Sequence, residues 1–154
     1  MANAKIGGHS SYGYTFIESI DTTGKQLGSG DSGKIFLCDQ GASNVSINLP
    51  KISSQITGWR AKFVIRDASA GHIFIIVYGE DAAGGTDGDA DKIVYLEEGD
   101  SNTTDSAADV IRLTGTDDPG TPKVQSGSWV EVFTDGSKWY AHVHAATDYA
   151  TPIG

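Results

Sequence analysis

Residues 126–144 read SGSWVEVFTDGSKWYAHVH, two runs rich in Val, Trp, Phe and Tyr on either side of Asp135-Gly136. Such runs suit pleated, half-buried strands, and Asp-Gly suits a two-residue turn whose central residues both need positive φ. With Thr134 and Ser137 closing the turn, Val132 is expected opposite Trp139, Val130 opposite Ala141 and Ser128 opposite Val143. That leaves one apolar face. The other face takes Phe133 with Lys138, Glu131 with Tyr140 and Trp129 with His142, a mixture suited to water or to a partner's surface. A slip by one residue would expose Val130, Val132 and Trp139, so the choice of faces is strongly specified.

Upstream of this hairpin the same alternation recurs. Trp59, Ala61, Phe63 and Ile65 alternate with Arg60, Lys62, Val64 and Arg66, and Val45, Ile47 and Leu49 alternate with Ser46 and Asn48 before Pro50. Residues 34–39 and 45–49 read as two strands joined by 40–44. Residues 51–58 read as a crossing loop in which Ile52 and Ile56 plug the end of the core. The run from Ile73 to Tyr78 is continuously apolar, as expected of a strand covered on both sides. Residues 14–20 form a first strand with Tyr14, Phe16, Glu18 and Ile20 on one side, and residues 21–33, with four glycines, read as a loop. Residues 92–96 add a short strand. Residues 107–113 fit a helical turn or, from Val110, Ile111 and Thr114, a strand.

Together these predict an all-β chain, a single antiparallel β-sandwich or jelly-roll-like domain of about eight or nine strands over residues 14–145. A flexible N-terminal arm (1–13) precedes it and a C-terminal tail (146–154) follows, since neither end has enough large apolar residues to hold itself in place. A length of 154 residues allows one domain with a real core and is short for two. The net charge of −9 opposes binding to phosphate backbones, so no direct nucleic-acid partner is expected. The single Cys38, within Ile35-Phe36-Leu37-Cys38, reads as a buried thiol. No apolar run reaches membrane-spanning length, and Lys5-Ile6 leads into Gly7-Gly8-His9-Ser10 without the apolar stretch of a secretory signal, so synthesis in a cytoplasm is expected.

The pattern GxWVEVxxDGxxWY at 127–140 resembles a recurrent β module of tailed-bacteriophage virion proteins, found in capsid decoration proteins and in tail-fibre or spike domains. GKIFLCDQGASNVSINLP (33–50) and GWRAKFVIRDASAGHIFIIVYG (58–79) are similar to its earlier part, a strand, a short hairpin ending in Leu-Pro and a longer hairpin. The resemblance implies a capsid decoration (cement) protein in the virion, bound to the major capsid protein on the outside of a phage head as a homotrimer. The arm would then attach to the shell through Ala2, Lys5, Ile6, Tyr12, Tyr14 and Phe16. The outer face of the hairpin, Trp129, Glu131, Phe133 and Tyr140, would make the subunit contact. A tail-fibre or knob domain binding a host receptor uses the same module. That reading expects carbohydrate or cell-surface binding through exposed aromatics such as Trp59, Trp129 and Tyr140. A carbohydrate-binding β-sandwich is a third possibility, whose stacking platform sequence alone does not place.

Chemistry is sparse. Asp87, Asp89 and Asp91 have the alternate spacing that gathers carboxylates around calcium, but Lys92 stands where an EF-hand-like loop needs Gly. His142 and His144 share one face of a strand and offer two imidazoles to a transition metal. Neither pattern is complete, so no cofactor is expected. With no nucleophile elbow, phosphate loop or metalloprotease helix, no enzyme is expected either.

Overall fold

A computed structural model of the chain describes residues 16–79, 92–98, 104–115, 124–144 and 150–153. Within them the strands are β1 (Phe16–Ile20), β2 (Lys25–Gln26), β3 (Lys34–Asp39), β4 (Val45–Asn48), β5 (Arg60–Asp67) and β6 (Ile73–Ile76), then β7 (Ile93–Glu98), β8 (Thr104–Ala108), β9 (Val110–Leu113), β10 (Trp129–Thr134), β11 (Trp139–His144) and β12 (Ala150–Ile153). Two short 3₁₀ turns complete the regular structure, and the described residues contain no α-helix. A seven-stranded sheet runs β1-β3-β5-β10-β11-β7-β8, and a five-stranded sheet runs β12-β9-β6-β4-β2.

The all-β expectation holds, but the antiparallel one does not. Five of the ten strand pairings are parallel: β1 with β3, β3 with β5, β2 with β4, β4 with β6, and β7 with β11. From β1 to β6 the chain alternates between sheets, each odd strand entering the larger and each even strand the smaller. The segments read as hairpins, β3 to β4 and β5 to β6, are therefore corners that carry the chain from one sheet to the other. Residues 16–76 form three stacked turns of a flattened coil. The segment read as a loop, 21–33, contains β2 and so completes the first turn.

Stacking in register puts like side chains one above another. Phe36 of β3 lies beside Phe63 of β5, rings 5.4 Å apart and nearly parallel, while Val45 and Ile47 of β4 neighbour Ile73 and Ile75 of β6. The inward residues of both sheets belong to one cluster, with Ile56 closing it and Ile52 packed alongside. Burying each such side chain is worth about 1.5–3 kcal/mol, and this burial is what holds the corners together. β6 is central in its sheet and buried on both sides: Ile73 and Ile75 face the main core, while Phe74 and Ile76 join Val110 in a second cluster.

The corners are pinned by polar groups. Gln40 is 3% exposed; its side-chain carbonyl accepts from the Ser69 N–H at 2.9 Å and its amide donates to the Leu113 carbonyl at 3.4 Å. Asn44 accepts from the His72 N–H at 3.0 Å, and His72 Nδ1 accepts from the Gly115 N–H at 2.9 Å. Backbone groups lifted out of the sheet ladders at each corner thus find partners in the corner above or below.

Cys38 is buried as expected, and desolvation pushes its thiol up to about 12. From ionisation alone the native thiol is expected to alkylate roughly a thousandfold more slowly at pH 8 than an unfolded one. Iodoacetamide labelling along a urea series checks this, and its rate should rise with unfolding.

Candidate functional surface

The closing hairpin of β10 and β11 lies inside the larger sheet, with β10 also paired to β5 and β11 to β7. Its register differs by two residues from the expectation. Thr134 stands opposite Trp139, so Val132 faces Ala141, Val130 faces Val143, Phe133 faces Tyr140, Glu131 faces His142 and Trp129 faces His144. The shift is even, and each residue keeps its predicted face.

Asp135 explains the longer loop. Its carboxylate accepts from the N–H groups of Lys138 (2.9 Å) and Ser137 (2.8 Å) and from the Ser137 hydroxyl (2.8 Å). The Thr134 hydroxyl donates to the Lys138 carbonyl at 2.6 Å and accepts from the Gly136 N–H at 2.9 Å, with Gly136 at φ +89°. A side chain that satisfies the loop amides itself favours a four-residue loop over a two-residue one.

The same bonds, led by the Lys138 and Ser137 amides and followed by the Ser137 and Tyr140 hydroxyls, hold the Asp135 carboxyl far below the usual carboxylate range. A carboxyl depressed in the folded state contributes stability that is present above its unfolded value, near 3.9, and is lost as pH falls below it. The turn amides of Ser137 and Lys138 should therefore keep constant chemical shifts from neutral pH down to about pH 4 and move only below it. Asp135→Ala should lower the melting temperature at neutral pH and narrow its gap from wild type in strong acid.

The outward side chains form rows across the sheet. Arg60, Phe133, Tyr140 and Val94 lie side by side, and the next row holds Ile17, Ile35, Lys62, Glu131, His142 and Leu96. Phe133 and Tyr140 stack at 5.1 Å and 14°, and with Val94, Leu96 and His142 they line a shallow, mostly apolar groove of about 340 Å³. Phe133 is 48% exposed and Leu96 42%. The Tyr140 hydroxyl donates to Asp135 at 3.0 Å, which raises its phenol pKa.

Trp129 is placed differently. His144 stacks on it at 5.5 Å and 20°, His142 meets it edge-on at 5.3 Å, and the Lys62 ammonium sits 3.8 Å from the ring centre, arriving from β5 on the opposite side. The half-buried indole thus packs against two imidazoles and a cation of the kind that favours an aromatic face. Trp59 is in the core, 3% exposed, edge-on to Trp139 at 5.2 Å, with its indole N–H donating to the Gly28 carbonyl at 3.0 Å. Its expected role as an exposed aromatic in receptor binding is corrected accordingly: it opens the inward row Trp59, Ala61, Phe63, Ile65.

All four residues expected at a subunit contact, Trp129, Glu131, Phe133 and Tyr140, stand on this outer face. The arm residues Ala2, Lys5, Ile6, Tyr12 and Tyr14 and the acidic Asp87, Asp89 and Asp91 lie outside the described residues. Phe16, the described end of that arm, begins edge strand β1 and is 67% exposed. His142 and His144 point the same way, each against Trp129. Among the described residues there is no group of three or more His, Cys, Asp or Glu able to hold a metal, and no helix long and apolar enough to cross a membrane. Val94 and Leu96 lie beyond the reach of sequence reasoning, because only the parallel pairing of β7 with β11 brings them beside Tyr140 and His142. Comparison with protein-family profiles, curated proteins and solved structures gives no match.

Proposed function

We propose that the protein is a structural virion protein of a tailed bacteriophage, a decoration protein that binds the outside of the head and stabilises it, assembled as a trimer. The observation that carries the proposal is the groove beside the Phe133–Tyr140 stack, with exposed Leu96 next to it. Exposed aromatic and aliphatic side chains adjoining across three paired strands suit a protein contact better than a catalytic pocket. The depressed pKa values of the described carboxylates follow from ion pairs or turn amides and call for no catalytic role. Lys25 and Lys34 hold Glu18, Arg66 holds Asp39, and the turn holds Asp135. Many copies of a modest contact add up to a large effect on a shell.

The same face supports a receptor-binding tail-fibre domain as the second reading, since Phe133 and Tyr140 present aromatic surface. Of the aromatics expected to serve receptor binding, Trp59 lies in the core and Trp129 packs against His144 and Lys62, so Phe133 and Tyr140 carry that reading.

The test mixes the purified protein with heads lacking it, then follows co-sedimentation and the temperature of DNA release. Stoichiometric binding with a raised release temperature, lost in Leu96→Asp with Phe133→Asp, supports the proposal. A protein that ignores heads but binds host cells would sink it in favour of receptor recognition.

A further inference from the structure

Four strands end the two sheets: β1 and β8 bound the larger, β12 and β2 the smaller. Such edges are normally guarded by shortness, charge, proline or a bulge, because an open row of N–H and C=O groups will pair with another chain. Three of the four carry a guard. β2 has only two residues, one of them Lys25. β12 contains Pro152, which has no N–H to offer. β8 carries Asp105, and its ladder with β7 shifts register between Ile93 and Tyr95.

β1, FIESI, has no guard. Its one charge, Glu18, is held by Lys25 and by Lys34 (2.8 Å), and no described strand pairs with its outer edge. Phe16 and Ile17 are 67% and 69% exposed, more than any other large apolar side chain described.

Most charges around this edge are paired, in a chain of net −9. Glu18 and Asp31 are matched by Lys25 and Lys34, and Asp39 is matched by Arg66, whose guanidinium also donates to the Ser19 hydroxyl at 3.2 Å. Asp21, tied to the N–H and hydroxyl of Thr23, and Asp67, which stands opposite Asp39 beside Arg66, are left over at the end of the strand. Two copies therefore meet less repulsion here than a net charge of this size otherwise imposes.

We propose that β1 is a self-association edge: β1 of one copy pairs antiparallel with β1 of a second about a twofold axis, joining two seven-stranded sheets into one. Such a contact is self-complementary and closes after two copies. It buries Phe16 and Ile17 and satisfies the open backbone row. The proposal does not rest on the virion reading, and it uses a different surface from the trimer contact.

The experiment measures the mass of the full chain by light scattering, beside the double variant Phe16→Lys with Ile17→Lys. Both positions already face water, so the substitutions add the missing guard without disturbing the core; circular dichroism and the melting temperature check that the fold is kept. The expected result is a halving of mass, from dimer to monomer, or from hexamer to trimer where the face contact also forms. Hydrogen exchange on the wild-type chain is an independent readout: β1 amides should lose protection on dilution. Equal masses for wild type and folded variant would overturn the proposal. So would β1 amides protected equally at every concentration, which would mean that the chain covers its own edge.

Discussion

Replacing Trp139 by alanine is expected to lower the free energy of unfolding by about 3–5 kcal/mol, the largest loss from any single truncation in the core. Trp139 is fully buried, its ring stands edge-on to Trp59, and its backbone closes the hairpin opposite Thr134. Removing it opens a cavity between the larger sheet and the loop ahead of β5. The partner cannot easily swing in to fill it, because the Trp59 indole is anchored to the Gly28 carbonyl. Against a total of about 5–15 kcal/mol for a domain of this size, that loss is roughly a fifth or more. Urea unfolding should show a lower midpoint at an unchanged slope. Tyr140→Ala, one position along and facing out, is the control and should move the midpoint far less. A Trp139 variant that behaved like the Tyr140 variant would mean that the two indoles do not meet in the core.

Which residues point inward is legible from the chain; which strands are neighbours is not. The alternation in Trp59 to Ile65 and in Val45 to Leu49 names the buried rows correctly, because period two is a property of one strand alone. Pairing is a property of two. The connections between β3 and β4 and between β5 and β6, five residues each, are long enough for a hairpin and equally long enough for a corner between sheets, and alternation does not distinguish them. The clue lies in the loops. Gln40 and Asn44 in one, His72 beside the other, and glycines at 41, 71 and 115 mark places where backbones of different turns must touch and share hydrogen bonds. The hairpin register escapes the sequence for a related reason: Asp-Gly signals tolerance of positive φ, while the Asp135 carboxylate sets the loop length by bonding two amides. The candidate surface is half legible, since β10 and β11 give Phe133 and Tyr140, whereas Val94 and Leu96 arrive through a parallel neighbour 45 or so positions away in sequence.

Gly71→Ala should destabilise the chain by about 3 kcal/mol or more, beyond the usual range for a single added methyl. A Cβ at Gly71 would lie 2.1 Å from the Ser43 carbonyl oxygen, 2.4 Å from its carbon and 3.0 Å from the Gly41 oxygen. Gly115 is equally confined, its Cβ falling 2.1 Å from the Gly71 oxygen and 2.3 Å from that of Ala70. Every obstacle is backbone, so no rotamer change relieves the clash and the stacked corners must move apart. That movement strains the Gly71 N–H bond to the Gly41 carbonyl (2.7 Å) and, at the next residue, the Val45 N–H bond to the His72 carbonyl (2.8 Å). Gly28→Ala and Gly30→Ala, where nothing lies within 4 Å of the added carbon, should stay within about 0.5 kcal/mol of wild type. Denaturant midpoints for these variants and Gly115→Ala separate close approach from the general cost of replacing glycine. They also test the topology itself. Had β3 and β4 formed a hairpin, residues 43 and 71 would have no reason to touch, and Gly71→Ala would be as mild as Gly28→Ala. A large gap between the two requires the turns of the coil to lie directly upon one another, which places β4 against β6 and leaves β1 at the open end of the larger sheet.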